Sequence, residues 1–238
     1  MDETCERYAH VVARVEDAAR ASGREPAAVR LVAVSKFHPS SALARLAGCG
    51  QRDFGESRAQ EGGAKIAALP DPAIEWHFLG PLQRNKARLI AGRFQWLHSL
   101  ESLQAADTLS RHLTTSNARL RVLIEVNITG DPRKHGVAPA DLFPFLEAYT
   151  SRPRIGLDLV GLMTMAPHAA SEGAVRAAFA HLRELACKSR QAFGLPGFDE
   201  LSMGMSDDYH WAIAEGATIV RIGRALFGER GPATAHTP

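Results

Sequence analysis

Lys36 is the residue whose type and setting most invite chemistry. It follows directly on Leu31-Val32-Ala33-Val34-Ser35, an apolar run of the length of a buried strand. The chain has five lysines, at positions 36, 65, 86, 134 and 188, among 28 basic residues. Lys65, Lys86, Lys134 and Lys188 fall in stretches that read as helix or loop, where a solvated ammonium is natural. Lys36 instead ends an apolar segment. Lost hydration there favours the neutral amine, and a neutral amine attacks an aldehyde. Two plainer readings stay open at this point: the side chain snorkels to a rim, or it pairs with Glu56.

A second group of residues lies in the C-terminal third. Met203-Gly204-Met205-Ser206 leads from an apolar run into the helical stretch SDDYHWAIAEG, with Ser206 as the expected N-cap. Val220-Arg221-Ile222-Gly223-Arg224-Ala225 leaves the run that follows. Glycines beside a helix start expose backbone N–H groups, which suit a phosphate. Either glycine alone is an ordinary turn residue. Both together, with a serine hydroxyl, favour an anion site, and an amine facing such a site suits a phosphorylated aldehyde.

These groups need a scaffold. Eight short runs read as strands, at 31–34, 53–55, 75–79, 95–98, 120–127, 157–163, 200–203 and 218–222. Helical patterns fall between them near 39–48, 56–68, 82–91, 100–113, 139–149, 172–193 and 206–215. Strict alternation implies a parallel sheet. Eight repeats in 238 residues fit one α/β domain, a closed (β/α)₈ TIM barrel over 1–238. An open flavodoxin- or Rossmann-like sheet leaves two or three runs unplaced. Residues 2–22 form an extra N-terminal helix closed by Gly23, and 229–238 read as a frayed tail.

In such a barrel the working groups sit where strands end. Those ends carry Lys36, Glu56, His77, His98 with Ser99, Asn127, Thr164, Ser202 with Ser206, and Arg221. Helix caps alone explain the Ser, Thr and Asn residues, but not a lysine, histidines and an arginine together. For His77, His98 and His210 a hydrogen-bonded structural role is the commoner outcome. Met163, Met165, Met203 and Met205 read as core and pocket lining.

Bulk composition bounds the rest. With 45% hydrophobic and 23% charged residues the chain is of the soluble globular class. A net charge of +2 offers no case for nucleic-acid or membrane partners. Cys5, Cys49 and Cys187 are odd in number and lack a CxxC pair, which predicts free thiols in a reducing cytoplasm and no metal site. The opening MDETCERYAH has no apolar core of the export type. Nothing patterned calls for an obligate assembly, so a monomer is expected.

VAVSKFHP, FGESRAQE, WHFLGPLQRNK, VLIEVNITGDPRKHGV, GLMTM, LSMGMSDDYHWAI and IVRIGRALFG resemble, in order, the motifs of the pyridoxal phosphate homeostasis protein family. The resemblance spans residues 30–228. It implies a fold-type III barrel, like the N-terminal domain of alanine racemase, with pyridoxal 5′-phosphate (PLP) at its mouth. Lys36 is then the Schiff-base lysine. Ser206 and the backbone N–H groups of Gly223 and Arg224 hold the phosphate, and Arg221 faces the pyridine nitrogen. His77, Asn127 and Met163 lie near the cofactor. Two positions depart from the family: Ser57 stands where Asn is frequent, and Phe37 replaces the hydroxyl of an SKT motif.

The implied function is a PLP carrier or buffer in vitamin B6 homeostasis, delivering PLP to apoenzymes that require it. A guanidinium on the ring nitrogen leaves that nitrogen unprotonated, which damps carbanion chemistry. The alternative is a racemase of the alanine racemase type, which needs a second acid–base residue, there a tyrosine from an additional domain. Here Tyr8, Tyr149 and Tyr209 all fall in expected helices. A class I aldolase-like barrel is a third reading, although its imine-forming lysine sits on a later strand.

Overall fold

The computed structural model describes residues 2–228. The chain opens with helix α1 (Glu3–Ala21), whose N-cap Asp2 accepts the Thr4 N–H at 3.1 Å. Val11, Val15 and Ala19 recur every four residues on its buried face. From there strands and helices alternate. The strands are β1 (Arg30–Val34), β2 (Asp53–Glu56), β3 (Glu75–Phe78), β4 (Trp96–Leu100), β5 (Leu120–Glu125), β6 (Leu157–Met163), β7 (Glu200–Ser202) and β8 (Ile219–Ile222). The helices that follow them are α2 (Ser40–Gly48), α3 (Ala59–Ala68), α4 (Ala87–Ile90), α5 (Leu103–Ser116), α6 (Leu142–Thr150), α7 (Glu172–Phe193), α8 (Tyr209–Ala214) and α9 (Arg224–Phe227).

All eight strands run parallel in sequence order and close into a barrel. Closure joins β1 to β8, with Val32 opposite Arg221 and Ala33 opposite Ile222. Between β6 and β7 the approach is tight at Gly161, where a Cβ would run into the Glu200 carbonyl, so no larger residue fits. The large apolar layer lies between sheet and helices, while Val32, Trp96, Leu123, Met163 and Ile219 form a separate cluster inside the barrel. Below that cluster the barrel floor is charged. The guanidinium groups of Arg30 and Arg121 both lie over the Trp96 ring, at 5.2 and 4.9 Å. Its indole N–H donates to Glu75, which also accepts from Arg121.

Every expected strand is present, β2 and β4 included. The differences are local. Helix α8 starts at Tyr209 with Asp208 as N-cap, so Ser206 does not cap it. The 82–91 stretch is a short 3₁₀ turn at Arg84–Lys86 followed by one turn of α4. Helix α9 has no counterpart among the expected helices. The tail at 229–238 lies outside the described residues. No described helix is long and apolar enough to cross a membrane.

The expectation of free thiols fails for two of the three cysteines. Cys5 and Cys49 form a disulfide with Cα atoms 5.2 Å apart, and Cys187 alone is free. Helix α1 packs against α2, which brings the first turn of α1 beside the C-cap of α2. A separation of 44 residues hides that approach from the sequence. The cysteine pattern therefore no longer argues for a reducing compartment. Cys49→Ser is expected to cost about 2–4 kcal/mol of stability. Thermal unfolding with and without dithiothreitol checks this: wild-type protein shifts and the variant does not. Wild-type protein that alkylates at three cysteines before any reduction has no bridge.

Candidate cofactor site at the mouth of the barrel

Lys36 lies one residue beyond Ser35, in the tight turn that leaves β1. The His38 N–H closes this turn on the Ser35 carbonyl at 3.0 Å, and Phe37, at its third position, has φ +69°. That position usually takes glycine or asparagine. The Lys36 side chain is half-buried and makes no ion pair among the described residues. Glu56 is engaged elsewhere: its Oε1 accepts from Lys65 Nζ at 2.7 Å and from Ser35 Oγ at 2.6 Å. No ion pair joins Lys36 to Glu56 among the described residues. The expectation that Lys65 is solvated is overturned as well, for it is 5% exposed on the inner face of α3.

Arg221, on β8, is the buried cation of the site. Its Nη1 donates to Ser202 Oγ at 2.6 Å and its Nη2 to the Thr164 carbonyl at 2.9 Å. A guanidinium has more N–H donors than these two bonds use, so the group can also serve a ligand. Burial lowers Arg221 to about 10, opposed by Glu125 and Asp208, and it stays cationic at neutral pH. Glu125, the last residue of β5, is buried too. Burial pushes its carboxyl up to about 7; Glu101 adds to the rise, and Arg221 and His135 oppose it. The sequence reading passed over Glu125. An ionisable residue inside the apolar run VLIEV was the signal.

A continuous line of hydrogen bonds ties Arg221 to the barrel floor. Ser202 Oγ lies 2.8 Å from His98 Nδ1, His98 Nε2 lies 2.9 Å from His77 Nδ1, and His77 Nε2 lies 3.0 Å from Asp53 Oδ1. Arg30 closes the line on the same Asp53 oxygen at 2.7 Å. Burial lowers both histidines, His98 strongly. Neutral rings leave one consistent proton assignment. His77 must donate to the carboxylate, so its Nδ1 accepts from His98, whose Nδ1 in turn accepts the Ser202 hydroxyl proton. Ser202 Oγ is then free to accept from Arg221.

His77 is fully buried, with both ring nitrogens used in this line, and it stacks on Trp96. Hydrogen bonding to a ligand would break one of those bonds. Asn127 organises its own loop: Nδ2 donates to the Asp131 carbonyl at 2.8 Å and Oδ1 accepts from Thr129. Met163 belongs to the interior apolar cluster. Gly223 packs against the end of β1, where a Cβ would stand 3.1 Å from the Val34 carbonyl oxygen. Leu226 and Phe227 donate to the Gly223 carbonyl, so the N–H groups of Gly223, Arg224 and Ala225 precede the first helical donor of α9. Ser206 and Ala225 line one cavity of about 270 Å³, which Arg7, His10 and Arg14 of α1 also border. An amine, a donating cation and a run of backbone N–H groups form a donor set that fits a phosphorylated pyridine aldehyde.

Comparison with known proteins bears on this fit. The description "Alanine racemase, N-terminal domain" matches residues 8–231. A pyridoxal phosphate homeostasis protein of Pseudomonas aeruginosa is 46% identical, over 97% of each chain. This chain belongs to that family. The Escherichia coli family member is 40% identical, over 97% of this chain and 98% of its own. The structure of PipY from Synechococcus elongatus with PLP bound matches at TM-score 0.83 and 36% identity, covering 95% of this chain and all of that one. Alanine racemase of Corynebacterium glutamicum shares the fold at TM-score 0.68 and 17% identity, over 98% of this chain and 64% of its own.

Glu125 makes the site pH-sensitive, and the sign follows from its raised value. The unfolded carboxyl ionises near 4.5 and the folded one near 7, so stability falls as pH rises between them. Glu125→Gln cannot ionise and loses that slope. In urea unfolding of ligand-free protein at pH 5 and pH 8, the variant is expected to gain on the order of 2–3 kcal/mol over wild type at the higher pH only. Equal slopes would show that Glu125 titrates normally.

Proposed function

We propose that this chain holds PLP as a Schiff base on Lys36 and works in intracellular PLP homeostasis, as a carrier and buffer rather than a catalyst of turnover. The observation that carries this reading is the Lys36 amine. It is half-buried at the end of β1 without an ion pair, and β1 is paired to the strand that bears Arg221 and leads to Gly223. PLP supplies an electrophilic aldehyde. Lys36 would hold that aldehyde by reversible condensation, with loss of water on capture and its return on release, as a carrier requires.

The other residues of the site bind and orient. Ser206 and the N–H groups of Gly223 and Arg224 take the phosphate, with the basic residues of α1 nearby. Arg221 donates to the pyridine nitrogen, which cannot then take a proton from it. An unprotonated pyridine is a weak electron sink, so turnover is damped. Met163 floors the site, Asn127 shapes its rim, and His77 acts through the line that fixes Arg221. The protein is expected to be a cytoplasmic monomer whose recipients are PLP-requiring apoenzymes.

An absorbance spectrum of the protein with added PLP, before and after borohydride reduction, tests the reading. A visible band is expected that reduction removes, leaving one phosphopyridoxyl group on Lys36 by mass mapping. Lys36→Ala should show no such band. Adduct at another lysine in wild type would overturn the assignment, and racemisation of alanine or serine in long incubations would overturn the carrier role.

A further inference from the structure

The one deeply buried lysine has no place in the function described so far. Lys65 Nζ is bonded to three oxygens: the Ser35 carbonyl at 2.8 Å, Glu56 Oε1 at 2.7 Å and Glu61 Oε1 at 2.7 Å. An ammonium has three protons, so each one has an acceptor. Two of these acceptors bear directly on Lys36. Ser35 is the residue before it, and its hydroxyl also binds Glu56. Glu61 Oε1 accepts the N–H of Phe37, the residue after it, at 2.8 Å. The peptide groups on both sides of Lys36 are therefore fastened to α3 through one ammonium.

The turn needs that fastening. Phe37 carries φ +69°, a conformation that a bulky side chain rarely adopts. Phe37 is 49% exposed, and its ring lies under the Arg58 guanidinium at 4.7 Å. Backbone strain of this kind persists only where surrounding bonds over-determine it. The Lys65–Glu56–Glu61 cluster supplies those bonds. It also engages Glu56 Oε1 and Glu61 Oε1, and Lys36 makes no ion pair among the described residues.

We propose that Lys65 is a positioning residue for Lys36: through Ser35, Glu56 and Glu61 it locks the strained turn that presents the reactive amine. The proposal rests on Lys36 being the PLP lysine, but its central test does not use PLP. N-hydroxysuccinimidyl acetate labels free amines, and peptide mass mapping gives the rate at each lysine. Glu61→Gln weakens the clamp while leaving Glu56 paired. Lys65→Met combined with Glu56→Gln removes the clamp without stranding a buried charge. In both, labelling at Lys36 relative to Lys188 is expected to rise, severalfold for the double variant and less for Glu61→Gln, since a turn released from its bonds opens the half-buried amine to the reagent. Adding Phe37→Gly to the double variant should bring the Lys36 rate back towards wild type, because glycine adopts the turn unaided. A merely structural role predicts a lowered Tm with an unchanged Lys36-to-Lys188 ratio, and that result overturns the proposal. Failure of the glycine rescue overturns it too. If wild-type protein forms no PLP adduct, the functional reading falls while the labelling ratio still decides the clamp.

Discussion

A buried polar group must have a partner, and this barrel carries an unusual number of polar groups along its axis. Arg30, Asp53, His77, His98, Ser202 and Arg221 come from six different strands, and the four that are buried, His77, His98, Ser202 and Arg221, would each be costly alone. Joined end to end they satisfy one another, with a single proton arrangement available to them. The closed parallel sheet makes this possible, because it aims one side chain from every second position of each strand at a shared interior. The orientation of Arg221, and with it the character of any ligand site at the mouth, follows from that line.

The two lysines near the start of the chain show how burial and pairing separate roles that composition cannot. Lys65 is surrounded by acceptors and is fixed. Lys36 lies next to the same cluster in sequence and has none of its ion pairs. Reactivity needs an amine that is not already neutralised by a carboxylate, and fixation needs the reverse. A single acidic cluster on β2 and α3 supplies both conditions by binding one lysine and ignoring the other. The departure at Phe37 belongs to the same arrangement, since the peptide it strains is one the cluster holds.

Much of this was legible in the sequence. Runs of three to eight residues, each followed by polar strand ends, marked all eight strands and the barrel they close. Lys36 and Arg221 stood out because their types are out of place beside such runs. What stayed hidden depends on distances between segments remote in the chain. Lys65 lies on an ordinary amphipathic helix, and only the packing of α3 on β2 buries its ammonium. Cys5 and Cys49 meet because α1 crosses α2. His77 was read as a ligand neighbour, yet its two nitrogens are consumed by Asp53 and His98, which come from adjacent strands. Ser206 does not cap α8 because the Asp208 and Tyr209 N–H groups, which a hydroxyl at 206 would accept, are taken by the Met205 carbonyl.

The charged stack around Trp96 has a consequence for traffic. With Arg30 and Arg121 over the indole and Glu75 bonded to both the indole and Arg121, side chains fill the lower end of the barrel, as in barrels of this type generally. A molecule seated over Met163 has one doorway. Under the proposed binding mode it would depart past the same turns that admitted it, and exchange would take place on the face formed by the loops after β1, β7 and β8.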